Sequence, residues 1–415
     1  MIYNKILLVE PQCAGFEHAP FNAAILQSVM LAFPSVEILF LAEGEHIVCV
    51  RKYLQERSIL CDQIQWNKIT IPKGSLTNWF RLPGDYKCCK TVFKIARENG
   101  VDSILFLSIT NTGLLALKTE MKEQKLPFNV FVVFHAVLNS IEKTHKLELW
   151  NRMLGLKSVL KLSHPAKLRY IVHGTPIYKQ LMVNNAILKD QFETIDIPTF
   201  WFNKGDSNLS DKKNEKIRFG FLGSDMIGFE RFETLANEFI VSKKVNNAEF
   251  QFVGHLYPVR HKIIRRIFPS KNSVRYFQHF KKGSSDVVLG LSYKPLTSEE
   301  YCSRVNNVTY VIWAGDPERC KLAGTGTFID TLSFVKPGIF LRNKYIEYYF
   351  SKMGDIGYLC DSVEEIKKVV QEILAEFPSE RYHKKCENII SKRNIFEPEN
   401  VASQIRDIFD GGLLQ

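Results

Sequence analysis

The feature that most limits the fold is an alternation, repeated in both halves of the chain, of short apolar runs with helix-like stretches. In the first half, residues 6–9 form an apolar run closed by Glu10-Pro11, and 36–42, 104–109, 130–134 and 170–172 are further strand-like runs. A helix is expected at 21–32. In the second half, 217–222, 250–253, 274–277 and 310–313 read as strands, and 229–241, 260–268 and 298–305 as helices. Ser362 and Glu365 read as a capping box before a helix that carries Val363, Ile366, Val370 and Ile373 at helical spacing; a last helix spans 398–409. Apolar strands separated by helices imply βαβ units and mostly parallel sheets buried on both faces.

A polar, charged and aperiodic stretch, KGDSNLSDKKNEK, falls near the midpoint and has the composition of a linker. The expected organisation is an N-terminal Rossmann-like domain at 1–198, a linker at 199–216, a second Rossmann-like domain at 217–395 and a C-terminal helix at 396–415 that packs back on the first domain. The fold class is α/β, with two mostly parallel sheets facing across a cleft. Ligands of such sheets bind beyond the carboxyl ends of the strands. That rim takes in His18, the turn Asn111-Thr112-Gly113, His135 and His173.

Lysine and arginine exceed aspartate and glutamate to give a net charge of +11, which favours anionic partners without choosing among a nucleotide sugar, a lipid-linked phosphate, a membrane surface and nucleic acid. Nine cysteines without a CxxC pair fit a reducing compartment better than a disulfide framework or zinc site. The N-terminus runs straight into a strand, and no apolar run approaches the ~20 residues of a membrane span, so a cytoplasmic location is expected, with peripheral attachment to the inner membrane face as a variant. A basic helix at 143–161, with Trp150, is a candidate for such docking, but Lys146, Lys157 and Lys161 interrupt its apolar face.

The segment 321–341, KLAGTGTFIDTLSFVKPGIFL, concentrates the chemistry. The turn Ala323-Gly324-Thr325-Gly326 leads into a helix at 328–335, Lys336-Pro337-Gly338 breaks it, and 339–341 reads as a buried strand. A glycine-rich turn into a helix N-terminus presents unpaired N–H groups and the positive dipole end, which suits a diphosphate. Asp330, about 5 Å further along, can take ribose hydroxyls. Arg319 and Lys321 flank the turn and can neutralise phosphate charge. The alternative is an ordinary strand–turn–helix whose glycines only permit close packing.

These residues, in this order and in a second α/β domain, resemble the donor segment of the GT-B glycosyltransferases. The matching positions are Thr325, Gly326, Asp330, Lys336 and Pro337. By that resemblance Thr325 and the amides of Gly324, Gly326 and Thr327 bind the diphosphate, Asp330 binds the ribose, and the loop Gly223-Ser224-Asp225 faces the donor phosphates. His255, after Gly254, borders the base or ribose, or faces solvent. The chain lacks the paired glutamates of the commoner retaining pattern; Asp330 alone stands where the second would be. Pro11-Gln12, Gly15, His18 and Pro20 resemble the first loop of glycosyltransferases that act on small molecules, whose histidine is the general base. His18 takes that role by resemblance, with Glu17 as an orienting or alternative base and His135 as a second candidate; neutral imidazole suits the task near neutral pH. His173 is structural or an acceptor-side polar group.

No HExxH, CxxC pair or suitably placed DxD is present, so no metal or other cofactor is expected beyond the nucleotide diphosphate sugar as co-substrate. The absence of GxGxxG and Walker A sequences argues against a dehydrogenase and a P-loop NTPase. The basic cluster at 260–282 reads as a solvated or lipid-facing surface rather than a nucleic-acid site, because Tyr276 and Phe277 read as strand core. The expected function is a metal-independent glycosyltransferase with a glycan or lipid-linked acceptor. A nucleotide-sugar 2-epimerase-like enzyme and a non-catalytic sugar-nucleotide or glycan-binding subunit of the same fold are the alternatives, and an RNA-binding protein is the distant one.

Overall fold

The computed structural model describes residues 3–73, 79–124, 126–141, 154–183, 185–201, 216–223, 225–254, 287–290, 296–318 and 321–411. Most of the expected linker, the helix at 260–268 and the strand at 274–277 lie outside these residues, as do Trp150, Ser224, His255 and Arg319.

The chain divides into two compact units, one formed by Met1–Phe200, Lys321–Gly324 and Asn394–Gln415, the other by Trp201–Cys320 and Thr325–Arg393. The first holds β1 (Lys5–Val9), β2 (Glu37–Ala42), β3 (Ile64–Lys68), β4 (Ser103–Phe106), β5 (Asn129–Phe134), β6 (Leu168–His173) and β7 (Phe192–Ile195). Its helices are α1 (Ala19–Ala32), α2 (Gly44–Gln55), α3 (Leu82–Glu98), α4 (Asn111–Glu123), α5 (Leu156–Lys161) and α6 (Thr175–Val183). The strands pair in parallel in the order β3-β2-β1-β4-β5-β6-β7. The central strands are buried almost end to end, as expected for a parallel sheet covered on both faces.

The second unit holds β8 (Ile217–Leu222), β9 (Ala248–Val253), β10 (Val288–Leu289), β11 (Tyr310–Trp313), β12 (Gly338–Leu341) and β13 (Gly357–Cys360). They pair in parallel in the order β10-β9-β8-β11-β12-β13. Around them lie α7 (Met226–Ala236), α8 (Ser298–Asn307), α9 (Gly326–Ser333), α10 (Lys344–Met353), α11 (Val363–Ala375) and α12 (Ser379–Lys392). In each sheet the chain leaves the first strand on one side and returns on its other side. The resulting switch points lie between β1 and β4 and between β8 and β11.

Several expectations need correction. Residues 111–113 are not a turn but the first turn of α4, capped by Thr110, whose hydroxyl accepts from the Gly113 N–H at 2.8 Å. The run 104–109 stops as a strand at Phe106. Of the expected helix at 143–161, residues 143–153 lie outside the described residues, and Gly155 is the extended N-cap of α5, which begins at Leu156. The glycine turn is shorter than expected, because α9 begins at Gly326. Ser362 does cap α11, yet the Glu365 carboxylate reaches back to the N–H of Asp361, not to that of Ser362.

The last helix, α13 (Pro398–Gly411), belongs to the first unit. Its Val401, Ile405, Ile408 and Phe409 are buried in the core with α1. The Phe409 ring stacks on Phe131 at 4.1 Å and meets Tyr3 and Phe33 at 5.7 and 5.3 Å. The Tyr3 hydroxyl donates to the Phe409 carbonyl at 2.8 Å. Phe409→Ala is therefore expected to destabilise the first unit by about 3–5 kcal/mol, measured as the shift in its urea-unfolding transition; a midpoint within error of the parent would contradict this packing.

Candidate functional site

In the second unit the residues around the β8/β11 switch point are held by close backbone approach. Gly223, directly after β8, has φ +98°, a left-handed conformation that favours glycine. An added Cβ on Gly254, at the end of β9, would lie 2.2 Å from the Gly223 carbonyl oxygen. Glycine there is dictated by contact with the neighbouring loop. Asp225 caps α7 by accepting from the Gly228 N–H at 3.2 Å. Arg231, one turn on, donates to the carbonyls of Ala314 and Gly315 after β11 at 2.8 and 2.9 Å. The β8 and β11 loops are thus tied together.

The start of α9 is placed here as well, because the Thr327 hydroxyl donates to the Leu222 carbonyl at 3.0 Å. Thr325 is the N-cap, but its side chain makes no cap hydrogen bond. The first helical bonds run from Phe328 and Ile329 to the Thr325 carbonyl. The N–H groups of Gly326 and Thr327 precede them and belong to the set that a helix leaves unpaired. A Cβ at Gly326 would meet nothing within 4 Å, so packing does not dictate glycine there. One turn further, Asp330 is half-buried and accepts at Oδ2 from the Tyr301 hydroxyl at 2.5 Å. Burial pushes its carboxyl up to about 6, and the bond from Tyr301 opposes that rise.

Of the expected donor residues, the structure brings together Gly223, Thr325, Gly326, Thr327 and Asp330. Lys321 and Gly324 pack as part of the first unit. Sequence reading overlooked Tyr301, Arg231 and Gly315; Tyr301 lies 29 residues from its partner, on a helix whose register alone singles out no chemistry.

In the first unit His18 is the exposed N-cap of α1 in a left-handed conformation, φ 56° and ψ 10°. His135 follows β5, and His173 ends β6. The three rings form a chain, with centroids 4.9 Å apart between His18 and His135 and 4.6 Å between His135 and His173. Phe21 meets His135 and His173 edge-on at 4.4 and 5.1 Å. His173 is 3 % exposed; among the described residues neither of its ring nitrogens has a hydrogen-bond partner, nor has the buried Nε2 of His135. Burial, then His173 and His18, hold His135 well below the ordinary range, and burial with His18 brings His173 down to about 3. Both are neutral imidazoles at pH 7. Glu17 is exposed, and its carboxylate makes no hydrogen bond or ion pair among the described residues, so it does not orient His18 in that way.

The loop carrying His18 is fixed from behind. The buried carboxylate of Glu10 accepts from the N–H groups of Gln12 and Cys13 at 2.9 and 3.1 Å, from Asn22 Nδ2 at 3.1 Å and from the Ser108 hydroxyl, which joins the loops after β1 and β4. His46 Nδ1 donates to the Gly15 carbonyl at 2.8 Å, which leaves Nε2 to accept from Asn22 Nδ2 at 2.8 Å. Beside it, a buried Arg81–Asp85 pair at 3.0 Å links α3 to the Pro11 carbonyl and to the hydroxyls of Thr110 and Thr112. Among the described residues no three His, Cys, Asp or Glu side chains are grouped so as to hold a metal ion, and no helix is long and apolar enough to cross a membrane.

No protein-family model and no curated protein sequence matches the chain. Solved structures match over its whole length. A glycosyltransferase from Rickettsia africae superposes with a TM-score of 0.64 at 13% identity, covering 100% of this chain and 99% of that one. Anabaena Alr3699/HepE in complex with UDP-glucose gives 0.61 at 12%, covering 98% and 99%. The α,α-trehalose-phosphate synthase (UDP-forming) from Burkholderia xenovorans in complex with glucose-6-phosphate gives 0.62 at 7%, covering 99% and 100%. The chain has their fold, built here of two Rossmann-like units with parallel sheets.

The contact between Gly254 and Gly223 makes a direct prediction. Gly254→Ala should destabilise the second unit by about 1–3 kcal/mol and displace the β8 loop, seen as a lower urea midpoint and a shifted Gly223 in a crystal structure. Parental stability with an unmoved loop would refute it.

Proposed function

We propose that this protein is a glycosyltransferase that moves a sugar from a nucleoside diphosphate sugar to a hydroxyl acceptor. The observation that carries the reading is the start of α9, uncapped by Thr325 and tied beside Gly223 at the β8/β11 switch point, in a chain with the fold of proteins solved with UDP-glucose and glucose-6-phosphate. The amides of Gly326 and Thr327, with the positive end of the helix, take the diphosphate and stabilise the charge it gains on leaving, while the Gly223 N–H is held by the Val253 carbonyl at 3.0 Å. Asp330 accepts from the ribose hydroxyls through the oxygen that Tyr301 does not use. No metal is assigned to the step.

On the first unit His18 takes the acceptor proton as the hydroxyl attacks the anomeric carbon. It is exposed, and its loop is fixed in place by the Glu10–Asn22–His46 network. His135 and His173, neutral and with unpartnered nitrogens, offer hydrogen bonds to acceptor hydroxyls. The net charge of +11 suits an acceptor that carries phosphate, such as a lipid-linked saccharide or a growing anionic glycan, with attachment to an anionic membrane surface as its corollary.

Titration with UDP, GDP and CDP should show saturable binding of at least one, and Asp330→Ala should weaken it by roughly 10- to 100-fold, the worth of hydrogen bonds to a charged group; if none of the three binds, the donor site is wrong. His18→Ala should lower turnover of a labelled sugar nucleotide by roughly 10²- to 10⁴-fold while leaving nucleotide affinity as it was. Full activity in that variant would remove His18 as the base.

A further inference from the structure

We propose that Tyr301 is a positioning residue for the donor: its phenol holds one oxygen of Asp330 so that the other is presented to the ribose hydroxyls. The inference rests on the donor-site reading above. Asp330 projects from the second turn of α9, and the Tyr301 hydroxyl, from the adjacent α8, is the only hydrogen-bond partner of its side chain among the described residues. The Tyr301 ring is seated by an edge-on contact with Phe334 at 6.1 Å, and it packs against the core cluster that holds Val305, Val308 and Phe334. Its helix is fixed by a capping box in which Thr297 and Glu300 satisfy each other's N–H groups. The phenol therefore comes from a rigid element. A carboxylate free to rotate would lose part of the geometry that two vicinal hydroxyls require.

The same bond sets when the site works. Burial disfavours the Asp330 carboxylate and Tyr301 favours it, with the balance near 6. On α8 the other titratable or charged groups are Glu299, which is exposed, Glu300, held in the capping box, Cys302, and Arg304, which donates to the Gly290 carbonyl; those that bond or pack on α9 or its end are Lys336, Tyr345 and Tyr349 of α10, Cys386 of α12, and Arg393. Of these, Lys336, Cys386 and Arg393 bond to carbonyls at the far end of α9 or on Asn306, and Tyr345 and Tyr349 meet Phe328. Ribose recognition should accordingly weaken as pH falls through about 6, where Asp330 takes up its proton and becomes a weaker acceptor.

The test compares UDP with 2′,3′-dideoxy-UDP by calorimetry from pH 5 to 8 on the full chain, its Tyr301→Phe variant and its Asp330→Asn variant. Both ligands carry the same diphosphate, so the ratio of their dissociation constants isolates the ribose and is insensitive to a partly unfolded sample. The parent should prefer UDP by about 10-fold near pH 7.5 and lose that preference below about 6. Asp330→Asn should show little preference and little pH dependence. Tyr301→Phe should cut the preference at least threefold and move its acidic limb to higher pH, because the group that favours the carboxylate is gone. An unchanged ratio and limb in Tyr301→Phe, with Asp330→Asn defective, would overturn the role of Tyr301 and leave the donor site standing. If the parent binds UDP without preferring it to the dideoxy ligand, this proposal fails. If the parent binds no nucleotide at all, the donor reading itself falls.

Discussion

Everything chemical in this protein depends on the way a parallel sheet must be threaded. Parallel neighbours need a crossover, and every crossover here returns the chain to the same edge, so all loops that follow strands gather at the carboxyl rim. The first strand of each sheet is central, with successors on both sides. The loops after β1 and β4, and those after β8 and β11, diverge and leave backbone groups unclaimed by the sheet. Each unit then closes that divergence only in part. In the first, Glu10 joins the two loops through Ser108 and the N–H groups of Gln12 and Cys13. In the second, Arg231 and Asp225 hold the β8 and β11 loops, and Thr327 brings α9 to the same point.

The two rims reach opposite electrostatic solutions. The second presents N–H groups and a helix dipole, fixed partial positive charge that needs no ionisation and suits an anion. The first presents imidazoles that burial and mutual proximity keep neutral. An unpartnered nitrogen on a buried imidazole costs about 1–3 kcal/mol. Two such residues side by side are a standing cost that ordinary core packing would have removed, and that the ring contacts with Phe21 offset only in part. Such groups are understandable where a polar ligand completes them.

How much of this could be read from residues alone follows from burial. β1, β5 and β8 are strands in the middle of covered sheets, so they are nearly unbroken apolar runs and stand out. β3, with the sequence IQWNK, and β7, with FETI, are half-exposed edge strands whose polar residues break up the apolar run, so neither stands out in the sequence. The same logic divides the site. Gly326 and Asp330 lie four residues apart on one helix, a spacing the sequence displays. The bond from Tyr301 to Asp330, the edge-on contact of His18 with His135 and the seating of Gly254 against Gly223 join distant segments, and nothing in local pattern encodes them.

The end of α9 shows why its start can be trusted to point one way. The helix closes with the N–H of Lys336 on the Thr331 carbonyl and that of Val335 on Leu332, a Schellman arrangement whose left-handed position glycine usually fills. Here it holds Val335 at φ 54°, a conformation costing a β-branched residue about 1–2 kcal/mol. The side chain is nonetheless 3 % exposed, so its burial, worth about 1.5–3 kcal/mol for a valine, offsets the strain. Lys336 Nζ, bonded to the Asn306 carbonyl at 2.8 Å, ties this corner to the end of α8, and Arg393 holds the Leu332 carbonyl at 3.0 Å. A helix of eight residues pinned at Thr327, Val335 and Lys336 has no freedom to rotate about its axis. The direction of Asp330 is then set by the fold, and Tyr301, on the helix that Lys336 also grips, needs only to complete it.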